Sequence, residues 1–195
     1  MIPTNNSGFT MKNSYRETDA RIYLSPLEDD HIIRYMSLSD DPELVKTMGW
    51  SPFDTNDRKR FIEFTKVLSV PSLVTAKSAV FSVVIKSDNT PIGFVSLKGI
   101  DENSSFAEVG IAIMDRRYRG CGYGTEALRL LVSYAFETVG LNSIGLTVFP
   151  SNQGAIRAYK KLGFHKIRLL KESWLKPNNE YVDMWLMTLK NSCSG

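Results

Sequence analysis

Three glycines alternate in Arg119-Gly120-Cys121-Gly122-Tyr123-Gly124-Thr125, with Arg116 and Arg117 just upstream and a helical run starting at Glu126. Glycine lets a backbone approach a ligand that a Cβ would block, and it tolerates backbone angles closed to other residues. The N-terminus of the following helix offers unpaired N–H groups and the positive end of a dipole. With the arginines, this chemistry suits a polyphosphate. Arg116 and Arg117 read as surface residues that raise the local potential, and Cys121 as a loop residue whose backbone matters.

A second candidate lies upstream, in Phe106 to Met114. With alternation of side chains along a strand, Val109, Ile111 and Ile113 share one face and Glu108, Gly110 and Ala112 the other. A carboxylate beside two nearly side-chain-free residues fits a strand lining a cleft. It fits an exposed sheet face with a solvated Glu108 as well. Further on, Asn152 and Tyr159 stand seven residues apart, about two helical turns, and share a helix face. His31 and His165 are the only histidines and fall in no motif. No histidine–cysteine pair has metal-ligand spacing, and no Ser-His-Asp arrangement emerges, so no metal is expected.

Two phosphate-binding templates fail. The P-loop needs Gly-Lys-Ser/Thr, which occurs nowhere in the chain. The dinucleotide fingerprint needs Gly-x-Gly-x-x-Gly in an early βαβ unit, whereas this loop comes late and after an antiparallel strand.

The elements that must carry these residues are legible in outline. Arg21–Leu24 reads as a strand stopped by Pro26. Helices follow from Glu28 to Leu38, from Asp41-Pro42, and from Thr55-Asn56-Asp57, the last two flanking an aromatic loop with Trp50 and Phe53. Val80–Ile85, Ile92–Ile100 and Phe106–Met114 form three antiparallel strands joined by turn clusters. Leu128, Leu131, Val132, Ala135, Phe136 and Val139 recur at helical spacing up to Gly140. Ser143–Val148, a short helix capped by Ser151 or Asn152, and strands near Phe164–Leu170 and Tyr181–Leu189 complete a mixed α/β pattern.

The chain has 195 residues, 43% of them hydrophobic and 23% charged, with net charge +3. These values fit one globular domain over residues 20–190, with an arm at 1–19 and a frayed tail at 191–195. The dispersed charge argues against a nucleic-acid partner. No apolar run nears the roughly 18 residues of a membrane span. Two cysteines fit reduced thiols in the cytoplasm better than a disulfide framework.

A third template accounts for the whole series. Arg119-x-x-Gly122-x-Gly124 resembles the R/Q-x-x-G-x-G/A signature of the GNAT superfamily of N-acetyltransferases. Glu108–Ile113 resembles the family's fourth strand, Pro150-Ser151-Asn152-Gln153-Gly154-Ala155 its second motif, Tyr159–Phe164 the helix and strand after it, and Tyr181–Met184 its close. The branch most similar is that of ribosomal-protein N-terminal alanine and serine acetyltransferases.

The resemblance implies a mixed, mostly antiparallel sheet of about seven strands and acetyl-CoA as donor. It implies that Arg119, Gly120, Cys121, Gly122, Tyr123, Gly124 and Thr125 hold the coenzyme A pyrophosphate. Backbone groups of Ile111, Ile113 and Met114 would pair with the pantetheine arm, where a bulge splays the strand from its neighbour. Asn152 would cap its helix or bond the pantetheine, and Tyr159 would protonate the leaving thiolate. Glu108 would accept the amine proton or anchor the ammonium. Trp50, Phe53 and Tyr181 would border the acceptor, a small-molecule amine or a protein N-terminus. A monomer or homodimer is expected. The rival reading is a non-catalytic acyl-CoA-binding module on the same fold.

Overall fold

The computed structural model describes residues 20–48, 77–101, 105–176 and 178–191. β1 (Ile22–Pro26) leads to α1 (Asp29–Ser37) and α2 (Pro42–Met48). β2 (Lys77–Ile85), β3 (Pro91–Asp101) and β4 (Phe106–Ile113) form an antiparallel meander. After the glycine loop come α3 (Tyr123–Ser133), β5 (Ser143–Val148), α4 (Gln153–Lys161), β6 (His165–Leu175) and β7 (Tyr181–Lys190). The helix expected at Thr55, together with Trp50 and Phe53, lies outside the described residues.

The seven strands make one sheet in the order β1-β2-β3-β4-β5-β7-β6. Of the described pairs, β4–β5 alone is parallel, which the crossover through α3 requires. Strand alternation sorts side chains onto two faces. On one, Val83, Val95, Leu97 and Val109 pack with Leu128 and Leu131 of α3 and Ile156 and Tyr159 of α4. On the other, Phe94, Ala112 and Met114 meet Ile32 and Tyr35 of α1 and Leu44 of α2.

One local departure concerns the helix after the loop. It stays α-helical only to Ser133, then widens to a π-turn over Tyr134–Thr138. Val139 N–H bonds the Tyr134 carbonyl, and Leu141 N–H bonds that of Ala135. The extra residue in the turn keeps both Ala135 and Leu141 in the core, which an unbroken 3.6-residue period does not.

Candidate active site

The loop between β4 and α3 is built as its glycines predict. Gly120 and Gly122 have φ of 72° and 89°, in the left-handed region that a side chain disfavours. Gly122 is the N-cap of α3 and has no side chain with which to cap it. Gly120, Cys121 and Gly122 are exposed, so the loop turns its backbone outward at a helix N-terminus.

Arg116 and Arg117 are exposed, as expected, but the charges of Arg117 and Arg119 are engaged within the protein. Arg119 folds back from the loop: its guanidinium donates to the carbonyls of Ile113 (2.8 Å) and Met114 (2.7 Å) and pairs with Asp41 at 2.8 Å. Arg117 grips the buried Asp115 carboxylate at 3.0 and 2.7 Å, and Arg34 joins it at 3.0 Å. Hydrogen bonds from Arg119 and Arg117 hold Asp41 and Asp115 below the usual carboxylate range. Two arginines of this cluster therefore neutralise acids instead of reaching toward an anion. Arg119 joins the end of β4 to the start of α2.

The cation that does reach the loop is Arg21, just before β1. Its Nη1 and Nη2 both donate to the Cys121 carbonyl at 3.2 Å, and its Nε and Nη2 donate to Glu126 at 3.1 and 3.0 Å. The Arg21 N–H bonds the other Glu126 oxygen at 2.6 Å, and the guanidinium lies 4.1 Å above the Tyr123 ring. Glu126, in the first turn of α3, is only 7% exposed. Sequence reasoning passed over this pair because its members are 105 residues apart; a glutamate on the otherwise apolar side of the helix entry was the available signal.

Beside the loop, the sheet opens. The β4–β5 ladder runs through Phe106–Ser143, Ala107–Ile144 and Glu108–Gly145 and stops. Met114 N–H bonds the Ile92 carbonyl, so by ladder alternation the backbone groups of Val109, Ile111 and Ile113 face the gap. Arg119 occupies the Ile113 and Met114 carbonyls and the parallel pair Glu108–Gly145 takes up the Val109 N–H, which leaves the Val109 carbonyl, both Ile111 groups and the Ile113 N–H facing the opening. The bulge expected in β4 is not there. The β3–β4 register is regular from Gly93–Ile113 to Lys98–Glu108, and its break falls between Lys98 and Asp101, where Gly99 has φ of 61°. Loss of the β5 partner, not a bulge, makes the gap.

Glu108 stands exposed where the gap begins, directly across from Lys98. Burial lowers the Lys98 ammonium pKa, and the Glu108 charge works against that shift. Along the same face, the Ser96 hydroxyl is buried without a hydrogen-bond partner among the described residues. A Cβ on Gly110 would lie 2.5 Å from that hydroxyl, so only glycine fits opposite Ser96. Ala112 is not open: α1 and α2 cover it. The face expected to line a cleft is thus covered at one end and exposed at Glu108.

Tyr159 lies on the opposite face, 8% exposed and next to the Phe164 ring. Burial pushes its phenol up to about 12, so it stays protonated at neutral pH. Its hydroxyl has no hydrogen-bond partner among the described residues. Asn152 serves as the cap of α4, accepting from Ala155 N–H at 3.1 Å. Tyr181 is 60% exposed at the start of β7 and is separated from β4 by β5. Among the described residues, one trio, Glu28, Asp30 and His31, has ligand-type atoms within 4.8 Å of one another. It is explained as the start of α1: His31 Nδ1 accepts from Glu28 N–H, and Asp30 from His31 N–H.

Comparison with known proteins shows the family and the fold. Residues 21–165 match the model of the acetyltransferase (GNAT) domain. The uncharacterized N-acetyltransferase p20 of Bacillus licheniformis is 30% identical over 165 residues, covering 84% of this chain and 88% of that one. The spermidine N(1)-acetyltransferase of Escherichia coli K12 is 36% identical over 81 residues, 42% of this chain and 43% of that one. A solved structure of spermidine N-acetyltransferase from Vibrio cholerae, in complex with CoA and spermine, has the same fold, with a TM-score of 0.74 at 21% identity, covering 89% of this chain and 98% of that one. The chain belongs to the GNAT family of N-acetyltransferases.

Proposed function

We propose that this chain transfers the acetyl group of acetyl-CoA directly to a primary amine in a ternary complex. The observation that carries the reading is the junction of two features: an exposed glycine loop at the α3 N-terminus, and a gap where β4 loses β5 just past Glu108. The outward amides at Gly120–Gly122 suit a pyrophosphate, and the Ile111 backbone with the Ile113 N–H suits an amide-bearing arm in the gap. Acetyl-CoA, when bound, supplies the thioester carbon that the amine attacks.

In the transfer a nitrogen–carbon bond forms, the carbon–sulfur bond breaks, and the nitrogen loses a proton. Glu108 takes that proton, directly or through water, or holds the ammonium in place beforehand. Tyr159 serves the sulfur side. A phenol at about 12 is a weaker acid than a thiol near 8.5, so outright proton transfer to the thiolate is uphill by roughly 5 kcal/mol. Its role is therefore to donate a hydrogen bond as the sulfur gains charge, while the proton released by the amine balances the reaction.

The acceptor is a small-molecule amine or a protein N-terminus. The sequence motifs point to the ribosomal-protein branch, whereas the relatives named for a substrate act on spermidine. Lys98 beside Glu108 favours an acceptor with a single positive charge over a polyamine. Thiol release from acetyl-CoA should be followed with monoamines, spermidine, aminoglycosides and peptides beginning with Ala or Ser. Turnover with one class confirms the reaction. Tight CoA binding with no thiol released by any amine would establish the non-catalytic module instead.

A further inference from the structure

Arg21 precedes the first strand and touches the loop 100 residues later with every polar arm it has. We infer that Arg21 is the positioning residue of the coenzyme A loop, acting through the Cys121 carbonyl and the Glu126 carboxylate; this rests on the loop reading proposed above.

Two physical effects meet in it. A trans peptide holds its C=O and N–H on opposite sides. Both guanidinium nitrogens pull the Cys121 carbonyl inward at 3.2 Å, so the N–H of the same peptide unit, that of Gly122, is aimed away from Arg21. The left-handed φ of 89° at Gly122 accommodates that orientation. The second effect is electrostatic. Glu126 puts a buried carboxylate in the first turn of α3, which favours the free helix but opposes any anion bound at the same N-terminus. Arg21 covers that charge at 3.0 Å. Its side chain remains 49% exposed, and four of its five N–H donors are used in these contacts, leaving one on Nη1. The Tyr123 ring beneath the guanidinium fixes its plane.

The test compares two donors, acetyl-CoA and S-acetylpantetheine, which lacks the pyrophosphate, on the wild type, Arg21→Gln, Arg21→Lys and the double variant Arg21→Gln/Glu126→Gln. Calorimetry gives the CoA Kd in parallel. For Arg21→Gln, KM for acetyl-CoA and Kd for CoA rise about 30-fold, in the range for losing charged hydrogen bonds. Its kcat stays within about threefold, and its kcat/KM with S-acetylpantetheine is unchanged. The double variant regains part of the affinity because the bare carboxylate is gone. Arg21→Lys keeps the charge without the fork and loses about fivefold.

Unchanged CoA affinity in Arg21→Gln overturns the inference, and so does an equal loss with both donors, which would make Arg21 a support of the fold alone. Should Arg21→Gln not fold, an unaltered Kd in Arg21→Lys decides against it in the same way. A wild-type chain that binds no CoA would remove the loop reading itself, and this inference with it.

Discussion

The two faces of the sheet are finished differently. The face under α3 and α4 is filled by aliphatic side chains from six strands and both helices, with Tyr159 set into it. The face under α1 and α2 has a smaller apolar patch around Phe94, Ala112 and Met114, and beside it a polar strip of Ser82, Ser96, Lys98 and Glu108. A packed face fixes geometry, because dense interiors resist displacement. A polar strip costs stability wherever its groups lack partners, so its retention points to use. The first face reads as the frame for the donor, and the second as the approach for the acceptor.

That division is tested most severely at Tyr159. Replacing it with Phe removes a hydroxyl that has no partner among the described residues. We expect kcat to fall by about 10²–10³, within the range for losing one hydrogen-bond donor aimed at developing charge, while the melting temperature and CoA affinity hold. A drop in stability with little change in kcat would return Tyr159 to the frame and leave the sulfur unassisted.

Alkali compares the faces through one tyrosine on each. Burial pushes both Tyr35 and Tyr159 up to about 12. An unfolded phenol ionises near 10, so as pH rises the unfolded chain releases these protons first. The contribution of these two phenols to stability is level below pH 10 and declines from 10 to 12, by about 3 kcal/mol for each. Denaturant melts at pH 8, 10, 11 and 12 should show that slope, reduced in Tyr159→Phe and in Tyr35→Phe. The two variants differ at pH 8. Tyr35 bonds Ser82 at 3.0 Å and the Gly93 carbonyl, so its loss costs about 1–2 kcal/mol even there. Equal slopes in wild type and variants would show that these phenols are solvated in the folded protein.

The same asymmetry explains what was legible in the sequence. Donor-side features are local: Gly120 and Gly122 need positive φ, Asn152 caps the helix next to it, and strand alternation assigns Val109, Ile111 and Ile113 to the packed face. Chain-neighbour rules suffice for these. Contacts of high sequence separation escaped, because no local rule pairs Arg21 with Glu126 or Arg119 with Asp41. Guanidinium groups are long and free to choose among carboxylates, so a run of arginines predicts a potential but not a direction. The π-turn after Ser133 escaped for another reason: apolar spacing tolerates one added residue without losing its helical appearance.

Glu108 offers a smaller but sharper effect on the acceptor face. Glu108→Gln should lower kcat/KM for the amine about tenfold to thirtyfold and leave the CoA Kd unchanged. Where the loss falls separates its two roles. A base loses kcat, whereas an ammonium anchor raises the amine KM with kcat kept. Full activity in Glu108→Gln would sink both, and with them the assignment of the strip to the acceptor.

Ser96 gives the smallest expected change and bears on the strip alone. Its hydroxyl is buried, lacks a partner among the described residues and sits across from Gly110, a placement that carries the cost of an unmet polar group. Ser96→Ala removes that cost at almost constant volume, and stability should rise by about 1 kcal/mol in chemical denaturation. A frame residue would gain stability and change nothing else. A residue of the approach would gain stability and lose acceptor affinity, by a few-fold in KM for the amine, which requires that acceptor binding uncover a hydroxyl that is buried in the free protein. Measured together on one variant, the two numbers say whether the unmet hydroxyl is merely tolerated or is kept for the acceptor.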